Sequence, residues 1–255
     1  MNKIIPIPAF HDNYIWMIVN AHGQTIVVDP GDAKPVLAAL ATNQYSLESI
    51  LITHHHRDHT GGVDALVQQT QATVYAPGKP TGHHVDVTVN DNDAVLFKSH
   101  DLTFTVMATP GHTLDHVCYY TTGHLFCGDT LFAGGCGRLF EGTPEMMHRS
   151  LSRLARLPSN TRVYCAHEYT LANLRFALSI DPNNKDLIER VKKDQIKRDN
   201  QQPTIPSLLS DELATNPFLR PHAQALQVLA MHHKGQDKIT NAEVFAIIRQ
   251  LKDQS

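Results

Sequence analysis

The sequence predicts an α/β domain followed by a helical one, and three observations carry that reading. Up to about Tyr169, short apolar β-branched runs alternate with turn residues and with stretches of helical spacing. Beyond Tyr169 every periodic stretch is helical, with no convincing strand. Several strand ends in the first part are followed at once by histidine or aspartate. The expected division is residues 1–169 and 170–255.

Tyr14 to Val19 and Gln24 to Val28 flank Asn20-Ala21-His22-Gly23, a hairpin signal. Asp29-Pro30-Gly31-Asp32 is a turn, and Lys34 to Leu40 has helical spacing. Ile50 to Ile52 reads as a buried strand, and Gly62 to Gln69 as a helix. Thr73 to Ala76 is a short strand before a Pro-, Gly- and His-rich loop, Pro77 to His84. Val85 to Val89, Ala94 to Lys98, Leu102 to Met107, Val117 to Tyr120 and His124 to Cys127 read as further strands. A glycine-rich loop runs from Ala133 to Gly142, a helix from Pro144 to Leu157, and a last strand from Arg162 to Ala166. Helices are expected at Leu171 to Ile180, Asn184 to Asn200, Ala223 to His233 and Thr240 to Lys252, the last with a Thr240/Glu243 capping box. No short-period repeat or low-complexity tract interrupts this order.

Composition excludes several classes. With 42% hydrophobic and 18% charged residues over 255 positions, the chain can bury a sizeable core and is neither disordered nor fibrous. A formal net charge of -3 gives no broad footprint for nucleic acid or an anionic membrane. Cys118, Cys127, Cys136 and Cys165 form no CxxC pair and read as free buried thiols of a reducing compartment. The amino terminus, its short apolar run broken by Pro6 and Pro8, lacks a secretory signal, and no stretch approaches the ~18 apolar residues of a membrane span. A cytosolic monomer is the expectation.

The chemistry-bearing stretch is Thr53-His54-His55-His56-Arg57-Asp58-His59-Thr60-Gly61-Gly62, a tight loop at the end of the Ile50 strand. Imidazole nitrogen and carboxylate oxygen are the ligand types of borderline divalent metals. A solvated polar loop is the bland reading, in a chain with 17 His. It weakens because His112, Asp129 and His167 also stand just past strand ends. The set exceeds the three protein ligands of one tetrahedral catalytic zinc. It suits two metals: His54, His56 and His112 on one, Asp58, His59 and His167 on the other, Asp129 bridging, with a position left for a shared hydroxide. His22, His83, His84, His100, His232 and His233 read as surface or loop residues, and His55 and His116 as pointing away from the ligands.

These residues resemble the metallo-β-lactamase superfamily and, within it, the glyoxalase II (hydroxyacylglutathione hydrolase) family. The superfamily pattern is His54-x-His56-x-Asp58-His59 with His112, Asp129, His167 and the early Asp29. The closer match lies in Phe10 to Tyr14, Thr53 to His59, Thr109 to Thr113, Phe126 to Phe132, Gly134 to Arg138, Glu141 to Thr143 and Cys165 to Thr170. Asn216 to Arg220 and Arg249-x-x-Lys252 extend it into the helical part.

The resemblance implies a four-layer αββα sandwich with a C-terminal helical domain that helps to bind glutathione. It implies hydrolysis of S-D-lactoylglutathione to D-lactate and glutathione, the second step of methylglyoxal detoxification, on two divalent ions per chain. Zinc is expected; iron and manganese also occur in such sites. Tyr169, Arg138, Phe140, Arg249 and Lys252 carry over as glutathione contacts, although some members have lysine and tyrosine where Arg138 and Phe140 stand. Asp115 replaces a frequent glycine. Arg249 and Lys252, spaced i, i+3, are expected on one side of the last helix, away from its apolar face.

The expected mechanism is attack of a metal-bridging hydroxide on the thioester carbonyl, with Asp58 orienting the water, Asp129 bridging and Asp29 supporting a ligand histidine. The thiol leaving group, with an unperturbed pKa of about 8.5, needs no strong general acid. Rival readings are a β-lactamase or lactonase, an iron persulfide dioxygenase or diiron oxygen reductase, and a nucleic-acid processing protein. The helical part argues against the first, His56 and the absence of flavin-domain sequence against the diiron reductases, and the missing basic surplus against the last.

Overall fold

The computed structural model describes residues 2–78 and 83–255; of the expected loop Pro77 to His84, positions 79–82 lie outside the described residues. The chain forms two compact units, Met1–Ala108 with Asp115–Gly128, and Thr109–Leu114 with Asp129–Ser255.

The first unit opens with β1 (Lys3–Ala9), β2 (Asn13–Val19) and β3 (Gln24–Val28), an antiparallel meander. Helix α1 (Ala33–Asn43) leads to β4 (Ser46–Leu51); then come the single turn α2 (Arg57–Thr60), α3 (Val63–Thr70), β5 (Thr73–Ala76) and β6 (Val87–Thr88). Strands β3 to β6 run parallel, giving a sheet in the order β1-β2-β3-β4-β5-β6. The parallel half needs crossovers, and α1 and α3 supply two of them.

Sequence alternation explains how both faces of this sheet are covered. Ile15, Met17 and Val19 pack with Val36 and Leu40 of α1 and Val63 and Leu66 of α3 in one buried cluster. The intervening Trp16 and Ile18 are buried as well. Opposite stands a second, antiparallel set: β7 (Ala94–Phe97), β8 (Leu102–Ala108), β9 (Val117–Thr121) and β10 (His124–Gly128). The Tyr119 hydroxyl of β9 donates to the Ile52 carbonyl at 2.9 Å, and Phe97 meets Tyr75 edge-on, so the two sheets face each other. Fully burying an isoleucine or phenylalanine there contributes roughly 1.5–3 kcal/mol.

Strand β1 is an element the sequence does not announce, because Pro6 and Pro8 interrupt its apolar run. Both sit on an edge strand, where a missing N–H costs no ladder bond. The predicted strand Val85 to Val89 is ladder-paired only at Val87 and Thr88. His100, read from sequence as a surface or loop residue, lies in the short connection between β7 and β8 and is buried: it contacts Ser99 Oγ at 2.9 Å and the Gln24 carbonyl at 3.1 Å.

The second unit holds the hairpin β11 (Leu131–Phe132) and β12 (Gly135–Cys136), α4 (Pro144–Leu154), and β13 (Arg162–Cys165) paired with β14 (Ser207–Leu208). Its other helices are α5 (Thr170–Ile180), α6 (Lys185–Asp199), α7 (Leu209–Thr215), α8 (Gln224–Lys234) and α9 (Asn241–Asp253). The strand β14 corrects the expectation of none beyond Tyr169; two residues are too few to show alternation. Helix α7 is also unannounced, because its buried positions are Leu209, Glu212 and Thr215, one apolar residue among two polar. Glu212 is nonetheless satisfied, by Arg190, the Gly134 N–H and Asn216 Nδ2. The α9 capping box forms as expected. All four cysteines are buried thiols outside any disulfide, and no helix among the described residues is long and apolar enough to cross a membrane.

Candidate metal centre

In the first unit, β4 runs into Thr53, and the next residues turn into α2. His56 is its N-cap, and its carbonyl accepts from His59 N and Thr60 N at 3.0 and 3.1 Å. What reads from sequence as a loop is therefore partly one helical turn, which places Asp58 and His59 side by side. Chain crossing behind it demands glycine: a Cβ at Gly31 would lie 1.8 Å from the Asp58 carbonyl oxygen. Ring centroids of His54 and His59 are 4.1 Å apart, and those of His54 and His56 4.7 Å. His59 Nε2 lies 3.4 Å from Asp58 Oδ2, which also accepts from Asn13 Nδ2 at 3.1 Å.

Hydrogen-bond partners assign the histidine tautomers. Asp29 accepts from Thr53 N at 2.8 Å and from the Thr53 hydroxyl at 2.7 Å. That hydroxyl has spent its only proton, so it accepts from His54 Nδ1 at 3.0 Å. Asp29 Oδ2 likewise accepts from His59 Nδ1 at 3.0 Å. In the neutral rings the Nε2 atoms of His54 and His59 then carry lone pairs. His54 Nε2 faces His56 Nδ1 at 3.1 Å.

The second unit carries His112, Asp129 and His167. His112 Nδ1 donates to the Arg138 carbonyl at 2.7 Å, which again leaves a lone pair on Nε2. That nitrogen lies 3.4 Å from Asp129 Oδ2, while His167 Nε2 lies 3.3 Å from Asp129 Oδ1. One carboxylate thus turns a different oxygen toward each of two imidazoles, the disposition a bridging ligand needs. Gly137 permits this wrap, since a Cβ there would stand 1.9 Å from the Asp129 carbonyl oxygen and 3.0 Å from His112 Nδ1. His54, His59, His112, Asp129 and His167 are buried, whereas His56 and Asp58 are half-buried. Imidazole lone pairs fixed by second partners, with carboxylates between them, fit borderline divalent ions.

The expected substrate contacts also have defined places in the second unit. Tyr169 stacks on His167 at 4.7 Å and 6°, and Phe132 meets its edge. Phe140 is exposed and stands edge-on to His112 at 5.2 Å. Arg138 is exposed and reaches Asp253 at 3.3 Å. Lys252 lies over the Phe176 ring at 5.2 Å, in a cavity of about 400 Å³ that Arg175 also lines. Burial first, then the Arg249 and Arg175 charges, lower the Lys252 pKa.

Arg249 departs from expectation. It does not project away from the apolar face with Lys252 but is buried over the Phe218 ring, 5.1 Å from its centroid. It donates to the Cys136 carbonyl at 3.0 Å and to Asp253 at 2.9 Å. The aromatic face and the i+4 acid make a buried guanidinium tolerable. Asn13, Asp253 and Arg175 are contacts the sequence reading did not assign; the i, i+4 spacing of Arg249 and Asp253 is the one signal that could have found a pair.

The metallo-beta-lactamase superfamily model matches residues 10–167, and the hydroxyacylglutathione hydrolase C-terminus model matches residues 168–255. The chain is 49% identical to the hydroxyacylglutathione hydrolase of Alkalilimnicola ehrlichii, over 100% of both chains. It belongs to the hydroxyacylglutathione hydrolase family of the metallo-β-lactamase superfamily. Among solved structures it is similar to ETHE1 from Myxococcus xanthus, at 25% identity and a TM-score of 0.66 over 98% of this chain and 91% of that one. It is also similar to TTHA1623 in a di-iron-bound form, at 28% identity and a TM-score of 0.55 over 65% of this chain and 91% of that one. The fold is that of the superfamily, and the chain carries histidine and aspartate groups of the kind that could hold a divalent metal ion.

Proposed function

We propose that the chain hydrolyses the thioester of S-(2-hydroxyacyl)glutathione, chiefly S-D-lactoylglutathione, to glutathione and D-lactate. Supporting it is the whole-length similarity to hydroxyacylglutathione hydrolases together with imidazoles whose Nε2 lone pairs are fixed by partners. The two ligand groups would serve one binuclear centre. His54, His56 and His112 would hold one ion, Asp58, His59 and His167 the other, and Asp129 would bridge. The superfamily model spans both groups, and neither group alone offers the full set. Two bound divalent ions would supply an activated water at neutral pH and charge stabilisation for the carbonyl oxygen. Zinc suits this nitrogen and oxygen donor set, as iron and manganese also can.

The chain's own residues do the rest. Asp58, held by Asn13, orients the attacking water. Asp129 and the ligand histidines carry no proton to the leaving group, and none is required, since a thiol with a pKa of about 8.5 departs as thiolate. Tyr169 and Phe140 would flank the acyl-thioester end. Arg138 and Lys252 would meet the glutathione carboxylates as cations. Arg249 would contribute from beneath, holding the Cys136 carbonyl and so the loop that leads to Arg138 and Phe140. The substrate is a small molecule, and a monomer in the cytoplasm with no nucleic-acid or membrane partner accords with composition and charge. Turnover of S-D-lactoylglutathione, assayed with metal per chain, tests the reading; fully loaded protein without turnover would reject it.

A further inference from the structure

Three successive residues after the His112 turn run alongside three successive residues of the metal loop within the first unit. Val117 N donates to the Thr53 carbonyl at 2.9 Å. The His116 ring stacks on His54, centroids 4.7 Å apart and planes at 24°, and both rings are fully buried. Asp115 Oδ1 lies 3.0 Å from His55 Nδ1. The pairing is thus 117 with 53, 116 with 54 and 115 with 55. Behind it, space is exhausted: a Cβ at Gly128 would fall 2.9 Å from His116 Nε2 and 2.4 Å from Thr53 Oγ1. His116 cannot retreat from His54 without displacing β10, on which Gly128 sits.

We propose that Asp115 and His116 are positioning residues for the metal loop. His116 fixes the plane of the His54 ring by stacking on its face. Asp115 anchors His55, the residue between two ligands, so that His54 and His56 cannot swing apart. Neither residue belongs to the ligand set proposed above. Partners of this kind that orient a ligand typically change metal affinity 10- to 100-fold when removed. Backbone pairing at Val117 alone would hold the chain but not the ring planes, which is why side chains are needed at the two preceding positions.

The inference rests on the metal reading above, and the test separates the two. Wild-type protein is loaded with zinc and its loss to a chromophoric chelator is timed, beside D115A, D115N, H116A and H116F, and each metal-free form is melted. Absence of stoichiometric metal in the wild type would reject the metal reading itself. Given a loaded wild type, D115A should release zinc about tenfold faster while D115N, which keeps the acceptor oxygen, stays within a few-fold of wild type. H116F should keep the ring stack and most of the retention, and H116A should not; if H116A fails to fold, D115A and H116F still decide. Metal-free melting should move little in D115A. Unchanged release in D115A, or a fall in metal-free melting that matches the loaded form, would overturn the proposal.

Discussion

The Asp29 carboxylate joins two parts of the metal loop: its Oδ2 accepts from the Thr53 hydroxyl at 2.7 Å and from His59 Nδ1 at 3.0 Å. Through Thr53 the same carboxylate sets the proton on His54 Nδ1, so one acid fixes two ligand tautomers. Replacing it by asparagine puts an amide where one acceptor oxygen stood. D29N should lower zinc affinity about 10- to 100-fold. Competition with a chelator of known affinity measures this, and wild-type affinity would show the tautomers to be set elsewhere.

Asp129 offers separate oxygens to His112 and His167. D129A removes both at once, so metal content should fall and hydrolysis should vanish. Elemental analysis alongside the thioester assay reads both, and wild-type turnover would sink the binuclear reading.

Lys252 and Arg249 should separate, although the sequence pairs them. Lys252 lines a cavity and keeps its charge near solvent; K252A should raise KM for glutathione thioesters about 10- to 100-fold, the worth of a hydrogen bond to a charged group. KM for a small thioester should stay unchanged. Arg249 is buried against the Phe218 ring and the Cys136 carbonyl, so R249M should cost about 1–3 kcal/mol of stability, seen in denaturant unfolding. Equal effects of K252A on both substrates would make Lys252 a solvated cation only.

Much of this was legible beforehand because strand ends and ligand types coincide in the chain. His54, His112, Asp129 and His167 each follow an apolar run, and such runs survive burial on both faces. Arg249 was not legible, because helical spacing gives a direction and not what waits there; Phe218 and Cys136 lie far away in sequence. His116 and Asp115 escaped for the same reason, their partners being His54 and His55 across a long separation. Strand β1 and helix α7 escaped because prolines and buried polar residues erase the patterns by which strands and helices announce themselves.

Burial lowers the His100 pKa from its usual 6.5, while Glu48 and the Gln24 and Ile18 carbonyls oppose the shift. With the folded value below the unfolded one, the unfolded chain binds more protons in that window, so stability rises with pH there. Acidification through 6.5 should therefore lower the melting temperature, and His148, lowered by burial, adds in the same sense. H100Q should show a flatter dependence between pH 7.5 and 5.5, these values spanning about one unit either side of the free histidine. Parallel curves for wild type and variant would exclude His100 as a contributor.

The central claim, a binuclear centre that hydrolyses a glutathione thioester, is met most directly by titrating metal-stripped protein with zinc while following S-D-lactoylglutathione turnover. Activity should appear with bound zinc, approach its maximum near two ions per chain, and disappear again on chelation. Full turnover in the stripped protein, or none at saturation, would contradict it.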